Sequence, residues 1–171
     1  EQLGALSLRV GAEHRQRAGD GDAARRTGEL DRPLSLCIGV GNGGPYDPSV
    51  RSPGNGDTLY LASVVALNAD TGKYVWHYQA NPREAWDYKS TANMVATTLT
   101  IGGKQRKVLL QAPTNGFFYV LDRQTGELIS AEKTGKVNWA SHIDLATGRP
   151  VEAPNLRYET GEVTVYPGSL G

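Results

Sequence analysis

The sequence is short of cysteine and of long apolar runs, and each shortage excludes a class of protein. The only cysteine among 171 residues is Cys37, so an internal disulfide and a cysteine-based zinc site are both excluded. No run of about 18 apolar residues occurs, so no segment is predicted to cross a membrane as a helix. The 18 basic and 18 acidic residues balance, and this balance argues against nucleic acid as a partner. The three histidines are far apart and lack metal-ligand spacing.

Aromatic residues and lysine are missing from the N-terminal part of the chain. The first aromatic residue is Tyr46 and the first lysine is Lys73, whereas six arginines lie between residues 1 and 32. No basic stretch followed by a long apolar run is present, so no secretion signal is predicted. Two interpretations of residues 1–37 remain open: a mobile tail, or a stretch translated from a shifted reading frame or joined from foreign sequence. Both make residues 1–37 an irregular segment without a function of its own.

From Leu34 onward, short apolar runs alternate with turn residues. The runs are rich in β-branched and aromatic residues, as in "SVVALN", "YVWHYQ", "MVATTLTI", "RKVLLQA" and "GFFYVLD". The stretch "LTIGGKQRKVLLQ" predicts a hairpin, because Gly102 and Gly103 tolerate the positive φ of a primed turn. No long segment has the 3.6-residue period of a helix. The predicted fold class is therefore all-β, with antiparallel sheets.

A short motif occurs three times between these runs. It appears as "NADTGKYV" from Asn68, "DRQTGELI" from Asp122 and "DLATGRPV" from Asp144. The Asx side chain is expected to accept backbone N–H groups ahead of it, while glycine takes the left-handed position of a tight turn. Trp76 closes the first copy and is expected to lie over a turn of a neighbouring unit. The repetition favours a β-propeller over a sandwich.

The stretch "GVGNGG", Gly39 to Gly44, has the glycine spacing of a dinucleotide-binding loop. Such a loop must lead into a helix, and the following "PYDPSVRSPGNGD" contains three prolines, so we expect no helix to begin there. The dinucleotide interpretation is therefore rejected. Asn42 instead offers an amide oxygen at the end of a strand, and hard cations accept such ligands.

Four stretches together resemble one known family. They are "IGVGNGGPYDPSVRSPGNGD", "SVVALNADTGKYVWHYQANPREAWDY", "LLQAPTNGFFYVLDRQTGELISAEK" and "VNWASHIDLATGRPVEAPNLRYETGE". In content and order they resemble the pyrroloquinoline-quinone-dependent alcohol dehydrogenases, an eight-bladed propeller family. The resemblance implies that residues 38–171 form a partial β-propeller of about two to three blades. Residues 1–37 stand where the family carries a glutamate calcium ligand, a disulfide between adjacent cysteines and the tryptophan beneath the quinone.

The resemblance also implies roles for individual residues. Asn42 matches the family's asparagine ligand to calcium. Asp87, in "WDY", matches the catalytic aspartate, which takes the alcohol's hydroxyl proton while hydride passes to the quinone, and it also lies at the calcium ion. Lys89 stands where relatives that use lanthanides carry a second acid, and this favours calcium. Thr114 stands at the cofactor-contacting position, where the family carries lysine or arginine.

The implied function is oxidation of primary alcohols to aldehydes with pyrroloquinoline quinone (PQQ) and Ca²⁺. The implied partners are a small alcohol, a cytochrome c or appended haem domain as electron acceptor, and the remaining propeller blades; the implied location is the periplasm. The alternative is a non-enzymatic propeller scaffold or an inactive remnant. Asn42 and Asp87 distinguish the two, because a scaffold has no need for both residues.

Overall fold

The computed structural model describes residues 35–54, 56–157 and 161–168. This part of the chain forms nine β-strands and one short helix. In chain order they are β1 (Ser35–Gly39), α1 (Pro48–Arg51), β2 (Ser63–Asn68), β3 (Tyr74–Gln79), β4 (Met94–Ile101), β5 (Lys104–Gln111), β6 (Phe117–Asp122), β7 (Leu128–Lys133), β8 (Ala140–Asp144) and β9 (Arg149–Glu152).

The strands form three sheets of neighbouring antiparallel strands. Their orders are β1-β2-β3, β4-β5-β6-β7 and β8-β9. The four-stranded sheet has the strand number of one propeller blade. Because every paired strand is antiparallel and the described residues contain one helix of only four residues, the prediction of an all-β fold is confirmed.

The predicted hairpin is present. β4 and β5 pair from Met94 opposite Gln111 to Ile101 opposite Lys104, which leaves a two-residue loop. Both loop residues have positive φ, 56° at Gly102 and 75° at Gly103, as a primed turn requires. The right-handed twist of the two strands therefore continues through the turn.

The three repeated motifs form the predicted tight turns. In each turn the Asx side-chain oxygen accepts one or two backbone N–H groups from the next three residues, at 2.8–3.2 Å. The glycine of each turn lies in the left-handed region, with φ of 68° at Gly72, 77° at Gly126 and 70° at Gly148. A β-carbon is strained in that conformation, and this strain explains why glycine follows threonine in all three copies.

Two aromatic residues of β3 join the three sheets by docking on these turns. Trp76 lies on Gly126, at the β6–β7 turn, and its Nε1 donates to the carbonyl oxygen of Arg123 at 3.3 Å. Tyr78 lies against Gly148, at the β8–β9 turn, and its hydroxyl donates to the Gly148 carbonyl oxygen at 2.9 Å. The predicted packing of Trp76 over the turn of a neighbouring unit is therefore confirmed.

A cluster of aromatic rings fills the core between the sheets. Its centre is Trp139, which is fully buried and donates its Nε1 proton to the Asn115 carbonyl oxygen at 2.8 Å. The rings of Trp86, Tyr88 and Phe117 surround it, with centroids 5.1, 5.6 and 5.9 Å away. Tilted and edge-on ring pairs at these distances add to the free energy gained by burying apolar area.

One expectation about the proline-rich stretch was wrong, because α1 begins there. Pro48 is in its first turn, where a missing N–H costs nothing, and the Asp47 carboxylate caps the helix by accepting the Ser49 N–H at 2.8 Å. The helix ends at Arg51 after four residues. Since Asp47 already occupies its N-terminus, rejection of the dinucleotide interpretation is unaffected.

The predicted boundary after Cys37 lies within β1, and residues 1–34 lie outside the described residues. The interpretation of residues 1–37 as irregular is therefore wrong for residues 35–37, which pair with β2, and it stays a prediction for residues 1–34. Cys37 itself is half-buried, and burial raises the pKa of its thiol. Within the described ranges, no helix has the length and apolar character needed to cross a membrane.

Because Trp76 lies on Gly126, we expect substitutions of two turn glycines to have unequal effects on stability. A β-carbon on Gly126 would lie 2.6 Å from the Trp76 ring, whereas one on Gly72 would meet nothing within 4 Å. We expect Gly72→Ala to lower the free energy of unfolding by about 1 kcal/mol, through left-handed backbone strain alone. Gly126→Ala is expected to lower it by about 3 kcal/mol, because overpacking against the ring is added to the same strain. Urea denaturation measures both losses, and equal losses would contradict the docking role.

Candidate active site

Two loops form the candidate site. One follows β1 and carries Asn42, and the other connects β3 to β4 and carries Asp87. A backbone hydrogen bond from Ser90 N–H to the Val40 carbonyl oxygen, 3.2 Å, joins them. At Gly39 the approach is so close that a β-carbon would lie 2.1 Å from the Ser90 carbonyl oxygen. Glycine is required here because any side chain would push the loops apart.

The loops bring Asn42 and Asp87 together, although 45 residues separate them in the sequence. Asn42 Nδ2 lies 3.4 Å from Asp87 Oδ1, at the long end of hydrogen-bond distances. The Asn42 Oδ1 atom accepts the backbone N–H of Gly43 at 2.8 Å. The amide nitrogen of Asn42 therefore faces the Asp87 carboxylate, while the amide oxygen is held by the backbone of its own loop.

The aromatic neighbours of Asp87 decide where its carboxylate lies. Trp86 and Tyr88 are both buried. Trp86 Nε1 donates a hydrogen bond to the Leu156 carbonyl oxygen, and the Tyr88 hydroxyl donates one to the Pro167 carbonyl oxygen, each at 2.7 Å. Asp87 between them is half-buried, and its backbone has a φ of 63°. Residues other than glycine seldom adopt this conformation, although aspartate does so more readily than most, and it is enriched at functional sites.

Glu84 is a site residue that the sequence reasoning missed. It is fully buried, and each of its carboxylate oxygens has N–H donors. Oε1 accepts the backbone N–H groups of Trp86 at 2.6 Å and Tyr88 at 2.9 Å, while Oε2 accepts from Asn42 Nδ2 at 2.5 Å. Burial raises the pKa of the Glu84 carboxyl, although these donors act in the opposite direction. The sequence feature that could have indicated Glu84 is an acid in the otherwise apolar "EAW", the three residues before Asp87.

Arg51, at the end of α1, holds the two loops against each other. Its guanidinium donates to the carbonyl oxygens of Gly43 at 3.1 Å and Pro45 at 2.8 Å on the first loop. On the second loop it donates to the carbonyl oxygen of Glu84. The short helix that the sequence reasoning excluded thus supplies a clamp for the site.

Tyr46 is an exposed phenol near Asp87. The negative charge of the nearby Asp87 carboxylate raises the pKa of the Tyr46 hydroxyl, so the phenol stays neutral. Sequence reasoning noted Tyr46 only as the first aromatic residue of the chain.

Thr114, the third predicted site residue, lies beside the Asp87 loop. Its Oγ1 accepts the Lys89 N–H at 3.0 Å, and its own N–H lies 3.5 Å from the Lys89 carbonyl oxygen. Thr114 therefore contacts the site only through the backbone of Lys89, two residues after Asp87. Because Oγ1 accepts from Lys89, the hydroxyl proton is left to donate elsewhere.

The donor types at the site suit a hard cation. Calcium prefers carboxylate and amide oxygens, which Asp87 and Asn42 supply. Among the described residues, no group of three or more His, Cys, Asp or Glu side chains is arranged to hold a metal ion. Two side chains are fewer than the six to eight oxygen ligands that calcium takes, so further groups must complete its coordination.

Comparisons with known proteins agree on one family. The family model for the β-propeller domain of PQQ glucose, ethanol and alcohol dehydrogenases matches residues 49–153, more than half of the chain. Quinohemoprotein alcohol dehydrogenase ADH IIB of Pseudomonas putida is 57% identical over 136 residues. That match covers 80% of this chain and 20% of the relative, so the chain spans about a fifth of the relative's length.

Solved structures give the same result. The quinohemoprotein alcohol dehydrogenase from Comamonas testosteroni superposes with a TM-score of 0.76 at 50% identity, covering 80% of this chain and 20% of that one. A europium-containing methanol dehydrogenase superposes with a TM-score of 0.73 at 36% identity, covering 80% and 24%. The predicted partial β-propeller is confirmed, and the chain belongs to the PQQ-dependent glucose, ethanol and alcohol dehydrogenase family.

Proposed function

We propose that this chain is the part of a quinoprotein alcohol dehydrogenase that carries its proton acceptor, Asp87, and a calcium ligand, Asn42. The observation that supports this most directly is the approach of the two side chains to 3.4 Å from loops 45 residues apart. A scaffold has no need to bring an amide and a carboxylate together, and none to hold the carboxylate on a left-handed residue. The high identity to a quinohemoprotein alcohol dehydrogenase supports the same conclusion.

Asp87 acts as the general base in this proposal. Its carboxylate accepts the hydroxyl proton of a primary alcohol, while Trp86 and Tyr88, buried on either side, keep it from turning into the core. Asn42 would hold a cation through its amide oxygen, which in this structure accepts the Gly43 N–H. The chemistry that bound PQQ and calcium supply is hydride acceptance and polarisation of a quinone carbonyl.

Thr114 is the proposed contact to the cofactor. Its hydroxyl proton is directed away from Lys89, whose N–H already donates to Oγ1, so it can donate one hydrogen bond to a quinone oxygen. A neutral donor makes a bond about half as strong as a charged one. This neutrality is the observation that favours the alternative, an inactive remnant.

The electron acceptor in this proposal is haem, either on a cytochrome c or in an appended domain. The relatives' description as quinohemoproteins supports it. The remaining propeller blades complete the walls of the site, since the chain spans about a fifth of those relatives. We propose the periplasm as the location on the family resemblance alone.

A chimera tests the proton acceptor. The matched segment of ADH IIB is replaced by that of this chain, and dye-linked ethanol oxidation is measured with PQQ and Ca²⁺. Asp87→Asn is expected to lower kcat by about 10²- to 10⁴-fold, because an amide cannot accept the proton. Asp70→Asn, on the exposed β2–β3 turn, is the matched control and should leave kcat unchanged. An active parent chimera whose Asp87→Asn variant turns over equally fast would refute the role of Asp87, and an inactive parent would favour the remnant.

The role of Thr114 is tested in the same chimera by a pair of substitutions. Thr114→Val removes the hydroxyl and is expected to weaken PQQ binding several-fold, in line with a net hydrogen bond of about 1 kcal/mol. Thr114→Ser keeps the hydroxyl and should bind PQQ as the parent does. Titration of the apoprotein with PQQ, followed by fluorescence quenching, measures both affinities. Equal affinities for the two variants would show that Thr114 does not contact the cofactor.

A further inference from the structure

The segment that follows β9, residues 153–157, contacts the loop between β3 and β4, and we call it the β9 strap. Its beginning is fixed to the core, because the Ala153 N–H donates to the Trp139 carbonyl oxygen at 2.8 Å. Near its end the Leu156 carbonyl oxygen accepts the indole N–H of Trp86 at 2.7 Å, although 70 positions separate the two residues. The strap therefore joins the last of the three sheets to the loop that carries the proposed proton acceptor.

The guanidinium of Arg157, the last residue of the strap, makes three kinds of contact at once. Its Nε and Nη2 atoms donate to the two carboxylate oxygens of Glu152, at 2.8 and 2.7 Å. Its Nη1 atom donates to the Arg83 carbonyl oxygen at 2.8 Å. Its Cζ atom lies over the ring of Trp86, 4.7 Å from the centroid. A planar guanidinium can make a forked pair, a further hydrogen bond and a cation–π contact together, whereas an ammonium group cannot.

Two of these contacts lie on the backbone stretch that leads into Asp87. Arg83 and Trp86 precede Asp87 by four residues and by one. Arg83 has a φ of 49° and Asp87 a φ of 63°, so a left-handed residue lies at each end of this stretch. Residues in this conformation persist where the surrounding structure holds them. Arg157 contacts the carbonyl group of the first left-handed residue and the side chain that directly precedes the second.

The burial of Trp86 has other causes than Arg157. The indole ring is 8% exposed, and it packs on the rings of Trp139 and Tyr88 at centroid distances of 5.1 and 5.9 Å. These aromatic contacts keep the ring in the core, whereas the guanidinium ties it to a carbonyl group of its own loop. Arg157 is therefore suited to fixing the orientation of the ring relative to the backbone around Asp87.

We propose that Arg157 is a positioning residue for the proton acceptor: through the Arg83 carbonyl group and the Trp86 ring it holds Asp87 in place to meet the alcohol. The inference rests on the proposed function, because the position of Asp87 matters to the reaction only if Asp87 is its base. Arg157 acts through these two residues and transfers no proton itself.

Arg157→Lys tests the inference in a chimera with ADH IIB whose transferred segment includes the β9 strap. Lysine keeps the positive charge but has neither the forked donors nor the planar group that lies over the indole ring. We expect kcat for ethanol to fall about 10- to 100-fold, because a displaced base is much less effective. KM for ethanol should stay within about twofold of the parent value, since only an interaction of the transition state is weakened. Dye-linked steady-state kinetics with PQQ and Ca²⁺ measure both values.

Arg106→Lys is the matched control. Arg106, on β5, donates through Nε and Nη2 to the Asp122 carboxylate at the β6–β7 turn, at 3.2 and 2.8 Å. The control thus replaces an arginine that pairs with a carboxylate outside the Asp87 loop, and it should keep the parent kcat. An equal loss of kcat in Arg106→Lys would show a general effect of weakened ion pairs and would overturn the inference.

A double-mutant cycle with Trp86→Phe tests whether Arg157 acts through the Trp86 ring. Phenylalanine keeps an aromatic ring but lacks the N–H that donates to Leu156. Each single variant is expected to lower kcat. Because both disturb the same ring, the double variant should lower kcat by less than the product of the two single reductions. A reduction equal to that product means that the two residues act independently, and it overturns the inference.

A second variant covers the case in which Arg157→Lys does not fold. Glu152→Gln leaves Arg157 in place but offers only one acceptor oxygen to the two N–H groups, so the guanidinium is held less firmly. We expect kcat to fall several-fold at unchanged KM for ethanol. The parent kcat in this variant would overturn the inference.

Asp87→Asn in the same chimera keeps the two proposals distinguishable. Where that variant retains the parent kcat, or where the parent chimera is inactive, the proposed function fails and the positioning role of Arg157 fails with it. Where Asp87→Asn loses activity and Arg157→Lys lowers kcat at constant KM, both proposals are supported. Where Asp87→Asn loses activity but Arg157→Lys keeps the parent kcat, or raises KM alone, only the inference about Arg157 is overturned.

Discussion

The docking of β3 aromatics on glycine turns is the constraint on which the rest of this structure depends. Trp76 and Tyr78 reach the turns at Gly126 and Gly148, and together with the aromatic cluster around Trp139 they join the three sheets in one core. The close approach requires glycine twice over, for the left-handed backbone and for the space beneath the ring. The repeated turn motif thus serves as both a strand connection and a docking surface.

The candidate site is a consequence of that packing. β3 ends at Gln79, and the loop that follows it carries Glu84 and Asp87 over the aromatic core before β4 begins at Met94. Trp86 and Tyr88 enter the core, which fixes Asp87 between them on the outer side. The glycine at position 39 then admits the loop to the end of β1. Precision at the site therefore comes from buried apolar area and close backbone contact.

The buried carboxylate of Glu84 is matched by the N–H donors and the positive charge around it. Burying a carboxylate is costly unless donors surround it, and Glu84 has three N–H groups within hydrogen-bond distance. The guanidinium of Arg51 adds a positive charge nearby, and that charge acts against the rise in the pKa of Glu84 caused by burial. Asp87 is half-buried, and its carboxylate lies 3.4 Å from the Asn42 amide nitrogen. Two carboxylates three residues apart thus have different environments and are suited to different tasks.

The sequence by itself determined the local structure: strands from β-branched runs, the Gly102–Gly103 hairpin, and the three Asx turns, all of which depend on residues near in sequence. Family resemblance singled out Asn42, Asp87 and Thr114, whose roles stay predictions. Only the tertiary structure revealed that Glu84 joins Asn42 to Asp87, that Lys89 pairs with Thr114, and that α1 supplies the Arg51 clamp. These contacts join residues that lie 25 to 45 positions apart in the sequence, on different loops. No local sequence pattern encodes them, because they form only once core packing has brought the loops together.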